Sequence, residues 1–357
     1  MPLRLKTAAD DHGRRLDRVL RKALPDLPLS ALHRLLRKGL VLLDGQPACG
    51  NSRVAAGQVI EVPGSAPPPG AAPPPPGAAP SPPGAALEVL FEGGGLLILN
   101  KPAGRATHGP ASLEETVRLY LEPRLPPSLS FTPGPLHRLD KPSSGIIVFS
   151  TGLEGAQTFS ALIRDRKIRK EYLAITDGVI EQEETWADEL IRDREAKKTF
   201  AAEPRSLNGE AGAGKAPRQT PPLTGEPPLT GAPPLTGEPP LTGTPPLTGE
   251  PPLKGESRLK KASTRILPLA KGRAHTLILA LIETGRTHQI RAHAAAHGHP
   301  LSGDRKYGGA PLKGGFFLHA RALEFPAGAF PGLPLRVEAP LPEDFRRSIE
   351  ILFHHTL

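Results

Sequence analysis

The chain has 357 residues, enough for two domains, but 45 are proline and 38 glycine, so part of its length cannot be packed core. Forty-five Lys and Arg against 36 Asp and Glu give a formal charge of +9, which favours a polyanionic partner such as nucleic acid or an anionic membrane surface. The single cysteine, Cys49, excludes an internal disulfide and a cysteine-based zinc site, and no apolar run approaches the roughly 18 residues of a membrane span.

The N-terminus, MPLRLKTAADDHGRR, carries charge without an apolar core, so no secretory signal is expected and the protein is expected to be cytoplasmic, monomeric and free of membrane contact. Residues 1–62 hold eleven Lys and Arg against six Asp and Glu, a net of +5 concentrated in about a sixth of the chain, as in a binding module. Within it, residues 14–62 read as a compact unit. Leu16, Val19, Leu20 and Leu24 recur at helical spacing with basic residues between them. Ser30 is placed to cap a second helix with the stripe Leu32, Leu35 and Leu36, ended by Gly39. A strand at Leu40–Leu43, an Asp44-Gly45 turn and a strand near Val59–Val62 follow. The basic residues Arg14, Arg15, Arg18, Arg34, Arg37 and Lys38 are the candidate contacts of this unit with a nucleic acid.

Residues 63–86 are almost wholly Pro, Gly, Ala and Ser and read as a semi-extended linker. Globular sequence resumes at Leu87 with the strand-like LEVLFEGGGLLILNKP. At 221–256, PPLTGE and close variants repeat six times. Paired prolines in every unit argue against a β-helix, so 205–257 reads as a disordered insertion within the second domain. GEAGAGKA at 209–216 fits the core of a phosphate-binding loop, but Ala216 replaces the magnesium-holding hydroxyl and no strand precedes it, so it reads as a chance match. AKKTF (196–200) and KKASTRILPLA (260–270), on either side of the insertion, read as two strands able to pair across it.

Three segments carry candidate chemistry: PLHRLDKPSSGIIVFS (135–150), RKIRKEYLAITDG (166–178) and TGRTHQIRAHAAAHGHPLSGDRKYGG (284–309). The first sets His137, Arg138 and Asp140 in a tight loop before an apolar strand, Ile146–Phe149. Neighbouring cations should keep such an aspartate ionised, although an isolated Asp in a turn more often satisfies backbone donors. The second places Tyr172 after a basic run, where a ring can stack on an unpaired base; the alternating EYLAIT equally suits a core tyrosine. The third offers Arg286, His288 and Arg291. His293 and His297 share a helical spacing, but Ala294 replaces the glutamate of a metalloprotease motif, so no metal site is expected.

Taken together and in order, HRLDKPSSG, KEYLA and TGRTHQIRAH…GHPLSGDRKYG resemble the core motifs of the RluA-type pseudouridine synthases. LLILNKPAGRATHGP, FLHARALEF and APLPEDF look like that family's first and last strands, and 14–62 looks like its S-four-like RNA-binding domain. The resemblance implies Asp140 as the catalytic aspartate, Tyr172 as the residue stacking on the flipped base, and Arg291 as the partner of the Asp140 carboxylate. His137, Arg138, Arg286 and His288 would contact RNA. Ser143 stands where threonine is commoner in the family. It also implies the reaction: uridine loses its glycosidic C–N bond, the base turns, and the sugar rejoins at ring carbon five. Nothing is gained or lost, so no cofactor is expected.

The fold class that follows is α+β: a pseudouridine synthase catalytic domain over 87–345 with a large, mostly antiparallel central sheet, followed by a 346–357 tail. A small α/β S-four-like domain over 1–62 is tethered to it by the 63–86 linker. The expected substrate is uridine in large-subunit rRNA of the C-type branch. The alternatives are tRNA uridine, a non-catalytic ribosome-assembly factor or a histidine-metal RNA hydrolase.

Overall fold

The computed structural model describes residues 2–64, 87–125, 128–193, 195–202, 259–312 and 315–354. The expected linker (beyond residue 64), the PPLTGE repeat and the 209–216 segment lie outside the described residues.

The front unit comprises β1 (Leu3–Lys6), α1 (Leu16–Ala23), α2 (Leu29–Arg37), β2 (Leu42–Leu43), β3 (Gln46–Pro47) and β4 (Val59–Val62), with sheet order β1-β4-β2-β3. The helical stripes bury as expected, with Leu16, Val19, Leu20, Leu32 and Leu36 packed against Val41, Val54, Ile60 and Val62. Gly39 takes φ +67° just past α2, the left-handed conformation that closes many helices. Asp44 and Gly45 both have positive φ and join β2 to β3, as a two-residue hairpin turn requires. Two expectations need correction. Ser30 lies inside α2, whose N-cap is Pro28 and makes no side-chain cap bond. The unit also begins before residue 14, because Leu3 and Leu5 alternate onto the core and β1 pairs with β4 along its whole length.

The second unit runs β5 (Val89–Gly93), β6 (Leu96–Lys101), α3 (Leu113–Leu121), β7 (Gly134–Pro135), β8 (Ser144–Ser150), α4 (Leu153–Arg164), β9 (Arg169–Asp177), β10 (Glu184–Asp193), β11 (Lys198–Ala201), β12 (Lys260–Lys271), β13 (His275–Ile282), α5 (Gln289–Ala296), β14 (Leu318–Glu324), β15 (Arg336–Glu338) and α6 (Glu343–Phe353). The sheet order is β11-β10-β12-β13-β9-β14-β8-β6-β5, with β7 on β8 and β15 on β14. Among the described pairings only β14–β8 is parallel. Helices cover both faces, which is why the central strands read as unbroken apolar runs. Ile146 and Val148 of β8 meet Phe159 of α4, while Ile147 and Phe149 meet α3. Along β9, Ala174 faces the Ile290 and Ala294 side of α5; Leu173 and Ile175 face Phe345 and Ile349 of α6.

Gly145 decides how closely β8 and β14 approach. Its φ is +104°, and a Cβ there would lie 2.3 Å from the Ala320 carbonyl oxygen, so no other residue fits.

α6 corrects the expected boundary: Ile349 is buried in the sheet-facing core, so the catalytic unit extends through Phe353 and most of the 346–357 tail is structured. The flanks of the insertion are both strands of the sheet, as expected, but they do not pair with each other. β10 lies between them, with Leu190 in register with Ala201 of β11 on one side and Lys260 of β12 on the other.

The front unit is docked as well as linked. Asp11, fully buried, accepts from the Leu129 and Ser130 N–H groups at 3.1 and 2.9 Å and from the Ser128 hydroxyl at 2.9 Å. Burial alone would raise its pKa, but the donors from Ala8, Ser130, Leu129 and Ser128 outweigh this and lower it. Asp10 accepts from the Leu153 N–H at the start of α4 (2.8 Å), and Arg14 donates to the Ser130 carbonyl (2.7 Å).

Candidate active site

Asp140 sits in the loop between β7 and β8, where the Ser143 N–H donates to the Asp140 carbonyl (3.1 Å) and closes a turn. Two buried residues of the NKPAGRATHGP segment hold this loop from behind. Thr107 donates its hydroxyl to the Leu139 carbonyl at 3.0 Å. The Lys101 ammonium, fully buried, donates to the carbonyls of Pro102, Arg105 and Lys141 at 2.9, 2.8 and 3.3 Å. Burial lowers the Lys101 pKa to about 8, against the pull of the Asp140 charge.

Arg291, in the first turn of α5, brings Asp140 and a second carboxylate together. Its Nη1 lies 2.9 Å from Asp140 Oδ2, while Nε and Nη2 form a two-pronged contact with Asp304 at 2.6 and 2.8 Å. The guanidinium is sandwiched by the rings of Tyr307 and Phe316, 4.8 and 4.7 Å from its carbon. A planar cation fixed by one charge-assisted fork, a further charged hydrogen bond and two rings has little freedom left. The start of α5 is equally constrained. His288, the N-cap, takes φ +53°, a left-handed conformation costing on the order of 1 kcal/mol for a non-glycine residue. Gln289 ties the turn together, accepting from Thr284 Oγ1 at 2.7 Å and the Arg286 N–H at 3.1 Å, and donating to the Ser263 carbonyl at 2.9 Å.

Tyr172 on β9 faces the same cleft, whose wall also includes Arg138, Ser143, Arg286, Thr287, His288 and Leu318. Burial, with the Asp140 charge nearby, pushes the Tyr172 hydroxyl up to about 12, so the side chain is neutral. Ser143 Oγ is buried in the cleft wall with no hydrogen-bond partner among the described residues.

The structure thus gathers Asp140, Tyr172, Arg291, Arg138, Arg286 and His288 about one cleft. It does not place His137 there as a cation. Its Nε2 accepts from the Val148 N–H (3.1 Å), its ring stacks on Phe159, and burial lowers its pKa to about 4, so it is neutral and packed between β8 and α4. In the front unit, Arg18, Arg34, Arg37 and Lys38 are exposed and Arg15 pairs with Asp17 at 2.7 Å. Arg14 is instead spent on Ser130, inside the docking contact, because its position faces the second unit. Two side chains of the site, Lys101 and Asp304, were missed. Both stand within quoted motifs, NKPAG and GDRKYG, but no periodicity marks them, since each acts through a contact between loops. His293 and His297 do share a face near Asp188, yet among the described residues no group of three or more His, Cys, Asp or Glu is arranged to hold a metal ion. No helix among the described residues is long and apolar enough to cross a membrane.

Comparison with known proteins finds likenesses that include this site. The family model for RNA pseudouridylate synthase matches residues 95–217, which include Asp140 and Tyr172. Ribosomal large subunit pseudouridine synthase C of Salmonella typhi is 28% identical over 97% of this chain and 95% of its own length. The D enzyme of Xanthomonas campestris pv. campestris is 27% identical over 95% of this chain and 89% of its own, and the C enzyme of Escherichia coli K12 is 27% identical over 96% and 94%. Among solved structures, human RNA pseudouridylate synthase domain containing 4 shares the fold, with a TM-score of 0.51 at 19% identity, covering 74% of this chain and 92% of that one. Over the segment that carries Asp140 and Tyr172, and at lower identity along nearly its whole length, the chain is similar to RNA pseudouridylate synthases.

Proposed function

We propose that this protein isomerises uridine to pseudouridine in large-subunit ribosomal RNA, with Asp140 as the catalytic carboxylate. The observation that carries the reading is the single cleft in which Asp140, held by the buried Arg291, faces Tyr172. A stacked or paired uridine must be extruded to reach it, at a cost of a few kcal/mol, and stacking on the Tyr172 ring offsets part of that cost. The carboxylate then acts on the detaching sugar or the base from a fixed position, with Arg291 preventing it from turning away.

The rim supports a polyanionic substrate. Lys170 is half-buried near Arg286; burial and then the Arg286 charge lower its pKa. Two cations held together at a cleft mouth are stabilised by a phosphate between them. The exposed Arg18, Arg34, Arg37 and Lys38 of the front unit, which we take as its S-four-like RNA-binding surface, extend the basic footprint. The rRNA assignment draws on the relatives' names and on their near full-length match to this chain.

The test is a release assay on ribosomal RNA carrying tritium at uridine carbon five, since isomerisation expels that hydrogen. The wild-type chain should release label, and Asp140→Asn, which keeps the shape and loses the charge, should not, while still binding RNA. Turnover of Asp140→Asn within about tenfold of wild type removes the assignment of Asp140.

A further inference from the structure

Arg291 holds one oxygen of Asp140, and the other faces His288. The His288 Nε2 lies 3.5 Å from Asp140 Oδ1, while Nδ1 lies 2.9 Å from the Tyr307 hydroxyl. That hydroxyl oxygen also accepts the Thr199 N–H of β11 at 2.9 Å. A phenol has one proton. With its oxygen accepting from Thr199, the arrangement that satisfies every partner has Tyr307 donating to Nδ1. The proton of the neutral imidazole is then on Nε2, the nitrogen turned toward Asp140. The side chain is 13% exposed, and its ring meets Tyr307 edge-on at 83°. Burial lowers the His288 pKa; Asp140 opposes this, while Arg291, Lys306 and Arg192 add to it. A neutral, tethered ring of this kind is poorly suited to pairing with RNA phosphate, one form of the RNA contact expected from the sequence.

We propose that His288 is a positioning residue for Asp140: its Nε2–H, set in that tautomer by the Thr199–Tyr307 chain, holds Oδ1 while Arg291 holds Oδ2. The carboxylate is then presented in one orientation, gripped on both oxygens. At 3.5 Å the contact is longer than a tight hydrogen bond, and such contacts shorten when substrate excludes water. The proposal rests on Asp140 being the catalytic carboxylate. It also gives β11, remote in sequence from Asp140, a part in aligning the site, because its backbone N–H begins the chain of bonds.

The left-handed backbone at His288 dictates the variants. His288→Asn suits positive φ and preserves the helix start, but its amide stops short of Asp140. His288→Gln carries an amide nitrogen near the Nε2 position. With RNA substrate, His288→Asn should lower kcat about 10- to 100-fold while leaving the RNA Kd within about twofold, and His288→Gln should recover most of kcat. Tyr307→Phe keeps the ring on Arg291 and loses the hydroxyl. It should lower kcat less than His288→Asn, and the double variant His288→Asn/Tyr307→Phe should be no slower than His288→Asn alone. Thermal melts check that each variant is folded; His288→Asn and Tyr307→Phe suffice if the glutamine is not tolerated.

Wild-type kcat in His288→Asn overturns the proposal. So does a loss confined to Kd with glutamine no better than asparagine, which would make His288 an RNA contact. Asp140→Asn is run in parallel: if it turns over, the reading of Asp140 fails. If it is dead while His288→Asn is normal, only the role of His288 fails.

Discussion

Asp304 makes no contact with Asp140, yet the site depends on it through Arg291. Two of the three carboxylate contacts of the guanidinium go to Asp304, and Arg291 and Asp304 side chains are 7% and 1% exposed. Asp304→Ala leaves a buried cation with two N–H groups facing a void, a class of change that costs about 3–5 kcal/mol. Against a typical total of about 5–15 kcal/mol, that is a large share of stability, and it should lower the melting temperature by roughly 6–20 °C. Urea unfolding read from Trp186, the only tryptophan and 1% exposed in the sheet core, measures the loss in this unit directly. Activity should fall further than stability explains. At a temperature where the variant remains folded, kcat should be about 100-fold lower, because an untethered Arg291 no longer orients Asp140. Asp304→Asn, which keeps the shape and one acceptor, should lie between. If Asp304→Ala unfolds within about 1 kcal/mol of wild type and turns over normally, the idea that Asp304 anchors the Arg291–Asp140 pair is wrong.

Asp11→Ala strands the Ala8, Leu129 and Ser130 N–H donors, worth about 1–3 kcal/mol each when buried. Limited proteolysis should release the front unit sooner and RNA affinity should fall with kcat retained; an unchanged digestion pattern counts against docking through Asp11. Glu171 takes Arg336 on both oxygens at 2.7 and 2.8 Å, and that contact holds its pKa below the ordinary 4.5. A depressed carboxylate stabilises the fold above its unfolded pKa and loses that contribution as pH falls through the folded value, so Glu171→Gln should be less stable than wild type at pH 7, the gap narrowing once pH is taken below the ordinary 4.5. Equal urea midpoint differences at neutral and acid pH would refute this. Replacing 205–257 with a Gly/Ser linker of about six residues should leave melting temperature and turnover nearly unchanged, because Ala201 and Lys260 both register with Leu190 and need bridge only about 10 Å. A folded but inactive replacement would mean that the insertion reaches the cleft or the RNA.

The sequence by itself determined the elements that carry the fold. Leu16, Val19 and Leu20 announced α1, Asp44-Gly45 announced a turn, and the apolar run Ile146–Phe149 announced a strand. These are local properties, because a helical stripe or an apolar run is legible wherever its own backbone repeats. The named residues of the cleft were legible for a different reason. Asp140, Tyr172 and Arg291 stand in three long motifs whose combined order resembles one family, although nothing in each motif alone distinguishes an active carboxylate from a turn aspartate. Tertiary structure alone decided the rest. Asp304 and Lys101 act on the site through contacts between loops far apart in sequence, and a lone buried charge has no period to betray it. His137 was read as an RNA contact, but burial against Phe159 and the Val148 N–H leaves it neutral. Strand order, too, follows from pairing across the sheet: β10 separates the flanks of the insertion because its two edges each match one of them. The same non-local logic assigns Arg14 to Ser130 while Arg18, one helical turn on, stays in solvent, since what lies opposite a side chain is set by packing and is not written in its neighbours.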